Sequence, residues 1–471
     1  MNQFLTPLSG LAVALLLLLG SLSLLGTVPP PDTGRSSPLV DTAPASSATQ
    51  SDRPTIDGHA TDPYPIDGYE LTGIRRLARL QMIKDGILSG TLPPPGGRKS
   101  FTEIRLHLVG ADSVSAIPES TPDLQSEIAA LFRGRSTSYG LAMVDITPGA
   151  PMRAATYQAT GRYQPGSVGK IAVAAGFFNE LQRRYPDRPA ARRELLKTHV
   201  VEAGEWVIPN HHTIPIFDPE TRAYSRRSVR TTDRFTLYEW LDHMLSPSSN
   251  AAASVTWKEA VLMRAFGQEY PVSAEREAEF FRRTPSAKLG EMGFAVVHDA
   301  LREAGVSEDE FRLGSLFTST ASRRIPVPGG SYGTPQGLLT FLIRLEQGRI
   351  VDRWSSLELK RLLYLTDRRI RYASAPALSD AAVYFKSGSL YSCRAEEGFA
   401  CGKYRGNVYN YMNSIAIVEP PDGRVYLVAL MSNVLKVNSA VEHQSLATFI
   451  ERVNAKVHAA TSSSAEMGSG K

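Results

Sequence analysis

Cysteine is scarce, charge of one sign never gathers, and the only long apolar run stands at the start of the chain. The 471 residues hold two cysteines, Cys393 and Cys401, eight positions apart. A short disulfide loop and a pair of free thiols both fit, and a disulfide in an oxidising compartment would contribute about 2–3 kcal/mol. Metal chemistry has little to stand on, because His211-His212 is the one adjacent pair and no third ligand follows at a familiar spacing. No metal and no cofactor are therefore expected. The 52 basic and 47 acidic residues leave a net charge of +5 dispersed along the chain. Without a basic block interleaved with aromatics there is no nucleic-acid signature.

Ahead of Asp32 there is no charged side chain, and Leu11 to Leu25 is almost continuously apolar, which reads as an export sequence. It lacks a basic start and a small-x-small site directly after Gly26. A removed signal peptide and an uncleaved membrane anchor over residues 1–27 both remain open. No cysteine follows to support lipidation. Either way the chain is expected to work outside the cytoplasmic membrane, periplasmic or anchored on its outer side. Residues 28–68, dominated by Pro, Ser, Thr, Asp and Ala, are expected to form a disordered tether.

A hydrophobic fraction of 42% is enough for a sizeable core in the remainder of the chain. Residues 69–118 read as a small helix-strand segment. Ile74, Leu77, Ala78 and Met82 mark one face of a helix over Tyr69 to Ile87, with Thr72 as a cap. After the Pro93-Pro94-Pro95-Gly96-Gly97 break, Ile104, Leu106 and Leu108 alternate with Arg105 and His107 as in a strand. Its expected role is packing against the main domain, residues 119–459, with 460–471 a disordered tail. That domain opens with a helix from Asp123 to Phe132 and strands over Tyr139–Ile146 and Arg153–Gln158. It closes with strands over Ser414–Val418 and Arg424–Met431 and a helix whose apolar face is Val441, Leu446, Phe449, Ile450 and Val453.

Strands at both ends with helices between predict an α+β fold, an α/β sandwich. One antiparallel sheet is built from both ends of the domain, flanked by helices, with an all-helical subdomain inserted. Within the insertion, Glu202 to Thr232 looks irregular and placed to line a cleft, and Val255 to Phe311 looks like a charged, solvated helical face. Asn407, Tyr409, Asn410, Tyr411 and Asn413 form a polar-aromatic run that reads either as a border of the pocket or as a surface loop.

The stretch Gln164-Pro165-Gly166-Ser167-Val168-Gly169-Lys170 is a turn opening into a helical pattern, Ile171, Ala174, Ala175, Phe178 and Leu181. Ser167 and Lys170 then share one face of the first helical turn. A lysine desolvated against an apolar helix can lose its proton and act as base for the serine hydroxyl, and the helix N-terminus favours a developing oxyanion. Alone, Ser-x-x-Lys is a weak signal, because a capping serine followed by a solvated lysine looks the same. Two further groups change its weight: Ser248-Ser249-Asn250 carries Ser-x-Asn, and Lys386-Ser387-Gly388 ends an apolar run through Tyr384 and Phe385.

In this chain order the three motifs resemble the serine β-lactamase/penicillin-binding-protein superfamily, closest to a class A β-lactamase-like catalytic domain. Gly333-Thr334-Pro335, opening a helix between the second and third motifs, agrees. The resemblance implies that Ser167 attacks a carbonyl, Lys170 takes its proton and Ser248 relays a proton to the leaving nitrogen. Asn250 would hold Lys170 and a substrate amide, while Lys386 and Ser387 would bind the substrate carboxylate, with Gly388 and Ser389 beside them as substrate-binding residues. The amides of Ser167 and Ser389 would form the oxyanion hole. A β-lactam or a peptidoglycan stem peptide is the implied small-molecule partner. The chain departs from class A in one respect: Phe311 to Leu345 holds no Asp or Glu, so no deacylating base stands there unless Glu310 or Glu397 folds in. A D,D-carboxypeptidase and a slow-turnover penicillin-binding sensor are the alternatives.

Overall fold

The computed structural model describes residues 67–111, 117–208 and 212–468. The apolar run Leu11 to Leu25, nearly all of the tether and His211 lie outside the described residues. No described helix is long and apolar enough to cross a membrane.

Five strands form one antiparallel sheet in the order Arg153–Tyr157, Tyr139–Asp145, Tyr426–Asn433, Tyr409–Glu419, Ala382–Ser392. Both ends of the domain thus supply it, as the sequence predicts. Tyr139–Asp145 is buried along its whole length because its alternating side chains enter two different cores. Ala142 and Val144 face the inserted helices, whereas Leu141 and Met143 pack on Leu124, Ile128, Leu446 and Ile450 of the terminal helices Pro122–Leu131 and Ser439–Gly468. Period-2 alternation between two apolar faces fixes register, since a one-residue slip would exchange the two sets.

The helix Lys170–Arg184 runs through the middle of the inserted part, buried on every side from Lys170 to Leu181. Its small residues allow this. A Cβ at Gly176 would stand 2.7 Å from the carbonyl oxygen of Val296, so the crossing helix Ser286–Glu303 sits against bare backbone. Around them lie Leu237–Leu245, Asn250–Phe266, Pro335–Glu346 and Arg353–Tyr364. The inserted part is not all-helical: Val200–Glu202 pairs with Arg234–Thr236, Ile214–Phe217 with Tyr224–Arg227 and Phe311–Arg312 with Tyr332–Gly333. The stretch read as irregular therefore contains a small hairpin, closed by Asp218, whose carboxylate accepts the backbone N–H of Glu220.

Four other expectations are corrected. The single helix over 69–87 is two, Asp67–Thr72 and Arg75–Lys84, because Gly73 takes φ +70° and the Thr72 hydroxyl bonds back to Gly68 O. Residues 104–108 form no strand. Ile104 and Leu108 are buried, but the backbone N–H of His107 goes to the Glu346 carboxylate and that of Leu108 to Glu346 O, not to a neighbouring strand. The supposed loop 409–413 belongs to the strand Tyr409–Glu419. On the last helix Leu446, Ile450 and Val453 are buried whereas Val441 and Phe449 are exposed, and the helix continues to Gly468, past the boundary expected at 459.

The N-terminal segment is tied to the domain by buried charge. Glu419 receives Lys99 Nζ at 2.5 Å, His107 Nε2 at 2.8 Å, Lys360 Nζ at 2.9 Å and the Tyr384 hydroxyl at 3.0 Å. Lys360 also pairs with Glu346 at 2.6 Å and donates to Arg105 O. Although burial alone would raise it, the His107 hydrogen bond and the flanking lysines hold the Glu419 carboxyl well below its ordinary 4.5. A depressed carboxylate contributes stability that is complete above that ordinary value and lost as pH falls below it. Glu419→Gln should cost about 3–5 kcal/mol at pH 7 by urea unfolding, since it takes one of two carboxylates from buried Lys360 and the partner of half-buried Lys99. The gap from wild type should narrow as the pH falls below 4.5.

Candidate active site

The site sits where the Ser167 turn meets the edge strand Ala382–Ser392. Gly166 takes φ +54°, and a Cβ there would lie 3.1 Å from the backbone nitrogen of Ser389. Across the gap, a Cβ on Gly388 would stand 2.2 Å from Pro165 O and 2.8 Å from the Ser167 nitrogen. Two glycines therefore let turn and strand close, which brings the amides of Ser167 and Ser389 side by side. Asn413, paired in register with Gly388, fixes the turn by donating from Nδ2 to Gln164 O at 2.8 Å. Ser167 itself is not in an α-helical turn: Gly166–Gly169 is a 3₁₀ turn and the α-helix begins at Lys170.

Lys170 is fully buried. Its Nζ donates to Ser167 Oγ at 2.9 Å, Ser248 O at 2.7 Å and Asn250 Oδ1 at 2.7 Å, with Ser248 Oγ at 3.3 Å and the Phe317 ring 4.8 Å beneath. Each of these acceptors is neutral. Burial, and then the positive charge of Lys386, push its pKa well below 10.5, which favours the free amine that can take the Ser167 proton across the same contact.

Ser248 adopts φ +64°, a left-handed conformation costing about 1–2 kcal/mol in a residue with a Cβ. The helix Asn250–Phe266 is capped by Ser249, which accepts from the Ala252 N–H at 3.2 Å, so capping does not account for Ser248. Instead its hydroxyl accepts from Lys386 Nζ at 2.8 Å, which links the second motif to the third. Lys386 is buried, and its pKa falls to about 7 through burial and the neighbouring Arg371.

Sequence reasoning missed Arg371. Held at φ +54° in a 3₁₀ turn, it donates to Ser387 Oγ at 2.8 Å and Ser389 Oγ at 2.9 Å, with its guanidinium over the Tyr404 ring. Nothing in Arg368-Arg369-Ile370-Arg371 marks one arginine over the others. Ser167, Lys170, Ser248, Asn250, Lys386, Ser387, Gly388 and Ser389 all converge here. Cys393 and Cys401 are joined in a disulfide, in the loop between Tyr391 and Tyr404 at one side of the cleft.

The cleft encloses about 720 Å³. Among its described lining residues one carboxylate stands, Asp367, paired with Arg226. Glu310 is not in the lining and accepts from Gln336 Nε2 at 3.0 Å, and Glu397 is exposed. Neither folds in against Ser167.

The sheet drawn from both ends of the domain, with the inserted helices and the serine turn at their junction, is the α+β arrangement that the resemblance implies. No protein-family model matches the chain, and no curated protein does. Solved structures do match. A β-lactamase from Sphaerobacter thermophilus DSM 20745 is 14% identical, covering 70% of this chain and 95% of its own, with a TM-score of 0.44. A β-lactamase from Chitinophaga pinensis DSM 2588 is 18% identical over 71% and 97%, with a TM-score of 0.45. PBP-A is 14% identical over 72% and 99%, with a TM-score of 0.43.

The depressed lysines give a pH signature. Capture of an anion needs Lys386 charged, so it should weaken as pH rises through about 7, whereas rising pH only favours the free-base form of the depressed Lys170. The second-order rate of Ser167 acylation should therefore fall above neutral pH; a rate climbing steadily to pH 9 would contradict this assignment.

Proposed function

We propose that the chain is a class A β-lactamase-like serine hydrolase that forms an acyl-enzyme on Ser167 with a β-lactam or a related amide bearing a carboxylate. The observation that carries this reading is the continuous hydrogen-bonded path Ser167–Lys170–Ser248–Lys386. Neutral Lys170 removes the hydroxyl proton as Ser167 attacks the carbonyl. The paired amides of Ser167 and Ser389 receive the developing oxyanion. Ser248 passes a proton to the leaving nitrogen as the C–N bond breaks, and its own is replaced from Lys170. Lys386, Ser387 and Arg371 offer two cations and a hydroxyl to the substrate carboxylate. The uncharged apolar start of the chain supports action in the periplasm or at the outer side of the membrane.

A second reading concerns release. With Asp367 committed to Arg226 and no other carboxylate among the described lining residues, water lacks a positioned base, and the acyl-enzyme persists. That favours a D,D-carboxypeptidase or a slow-turnover penicillin-binding sensor over an efficient lactamase.

Mass spectrometry after mixing with a fluorescent penicillin tests both. Wild type should gain one adduct that outlasts the mixing time by minutes or more, Ser167→Ala should gain none, and Lys170→Ala should label about a thousandfold more slowly. No adduct on wild type removes the acylation reading. Rapid hydrolysis of a chromogenic cephalosporin removes the slow-release reading alone.

A further inference from the structure

We propose that Arg76, supplied by the N-terminal helix Arg75–Lys84, is a positioning residue for the reaction at Ser167: it locks the loop that presents Ser248. The proposal rests on the acyl-transfer reading above and gives the N-terminal segment a part in it.

The buried guanidinium grips Asp242 through Nε and Nη2, both at 2.6 Å, near the end of the helix Leu237–Leu245. The same Nη2 donates to Ser246 Oγ at 3.2 Å and to Leu365 O. Ser246 Oγ in turn donates to Leu365 O at 2.9 Å and accepts the backbone N–H of Asp367 at 2.6 Å. One hydroxyl thus joins three segments far apart in the chain, and Arg76 closes the junction.

Two residues further on stands Ser248. The loop is pinned on both sides of it, by Ser246 N–H to Asp242 O at 2.8 Å and Ser249 N–H to His243 O at 2.9 Å. A non-glycine residue stays at φ +64° only where its surroundings over-determine it. Ser248 is also the point where the two lysines meet, its carbonyl accepting from Lys170 and its hydroxyl from Lys386. A loop that relaxes therefore displaces the relay hydroxyl and loosens Lys170 together.

Arg75 provides an internal control. From the adjacent position it makes a forked pair with Glu239, at 2.8 and 3.1 Å and more exposed than that of Arg76, yet it makes no bond to Ser246 or to residues 365–367. Loss of either arginine removes an ion pair between the same two helices, but only Arg76 reaches the loop.

Chemistry separates positioning from mere support. Expelling an amide or β-lactam nitrogen needs a proton from Ser248, whereas a thiolate leaves without one. A displaced Ser248 should therefore slow the first kind of substrate far more than the second. Lost fold would reduce both equally.

The test compares Arg76→Lys, Arg76→Met and Arg75→Met with wild type. Arg76→Lys keeps the charge, but one ammonium cannot serve both Asp242 oxygens, Ser246 and Leu365 together. Acylation of Ser167 by a penicillin and by a thioester with the same carboxylate end is measured, alongside hydrogen exchange over residues 243–250. Both Arg76 variants should lower the penicillin-to-thioester rate ratio by about tenfold or more and speed exchange in that peptide, while Arg75→Met leaves both unchanged. Equal losses on the two substrates, no loss at all, or the same change in Arg75→Met would overturn the proposal. If wild type accepts neither acyl donor, the acyl-transfer reading is lost and exchange alone judges the clamp: unchanged protection over 243–250 in the Arg76 variants rejects it, and selective loss there upholds it.

Discussion

An amine sealed away from water with only neutral oxygens around it is the constraint on which the site depends. A buried ammonium without a counter-ion is so costly that the group gives up its proton instead, and Lys170 is placed to do so. Its nearest charged neighbour of note is another cation, Lys386, whose own pKa is lowered by burial and by Arg371. Because an arginine never deprotonates under ordinary conditions, it biases Lys386, and Lys386 biases Lys170. The cation nearest the carboxylate subsite thereby helps to set the basicity of the group beside the nucleophile.

Holding such a group demands rigidity in everything around it. The central helix cannot shift, being packed on all sides and pressed against the backbone at Gly176. The edge strand cannot slip, because its register with Tyr409–Glu419 sets Gly388 opposite Asn413, which holds the serine turn. Strain is stored at Ser248 and at Arg371, both non-glycine residues in left-handed conformations. Rigid elements therefore carry the amines, and strained turns carry the groups that face them.

What was legible in the sequence came from chemistry that demands particular residue types at short spacing. Ser167 and Lys170 lie within one turn, Lys386 to Ser389 within one strand, and apolar periodicity marked the sheet and its terminal helices. Arg371 was not legible, since its role comes from a backbone conformation that neighbouring arginines do not share. The polar run at 409–413 reads as a loop because, in sequence, a buried asparagine looks the same as a solvated one. Asn410 instead spends its amide on Val434 O and Val437 O, and Asn413 spends its own on Gln164 O. Alternation at 104–108 imitated a strand, but a side-chain carboxylate, Glu346, took a backbone donor that a neighbouring strand would have used. Pairings such as Arg76 with Asp242, separated by 166 positions, leave no local trace.

The segment ahead of residue 119 carries a consequence for where this protein begins as a folding unit. Asp242, Glu239 and Glu419 stand far along the chain, yet Arg76, Arg75 and Lys99, which pair with them beside Lys360 on Glu419, come from its first hundred residues. A fragment trimmed to the strands and helices that hold the serine would leave those acids facing an apolar interior with part or all of their compensating charge removed. The minimal autonomous piece is thus longer than the piece that bears the chemistry and reaches back at least to the helix Arg75–Lys84.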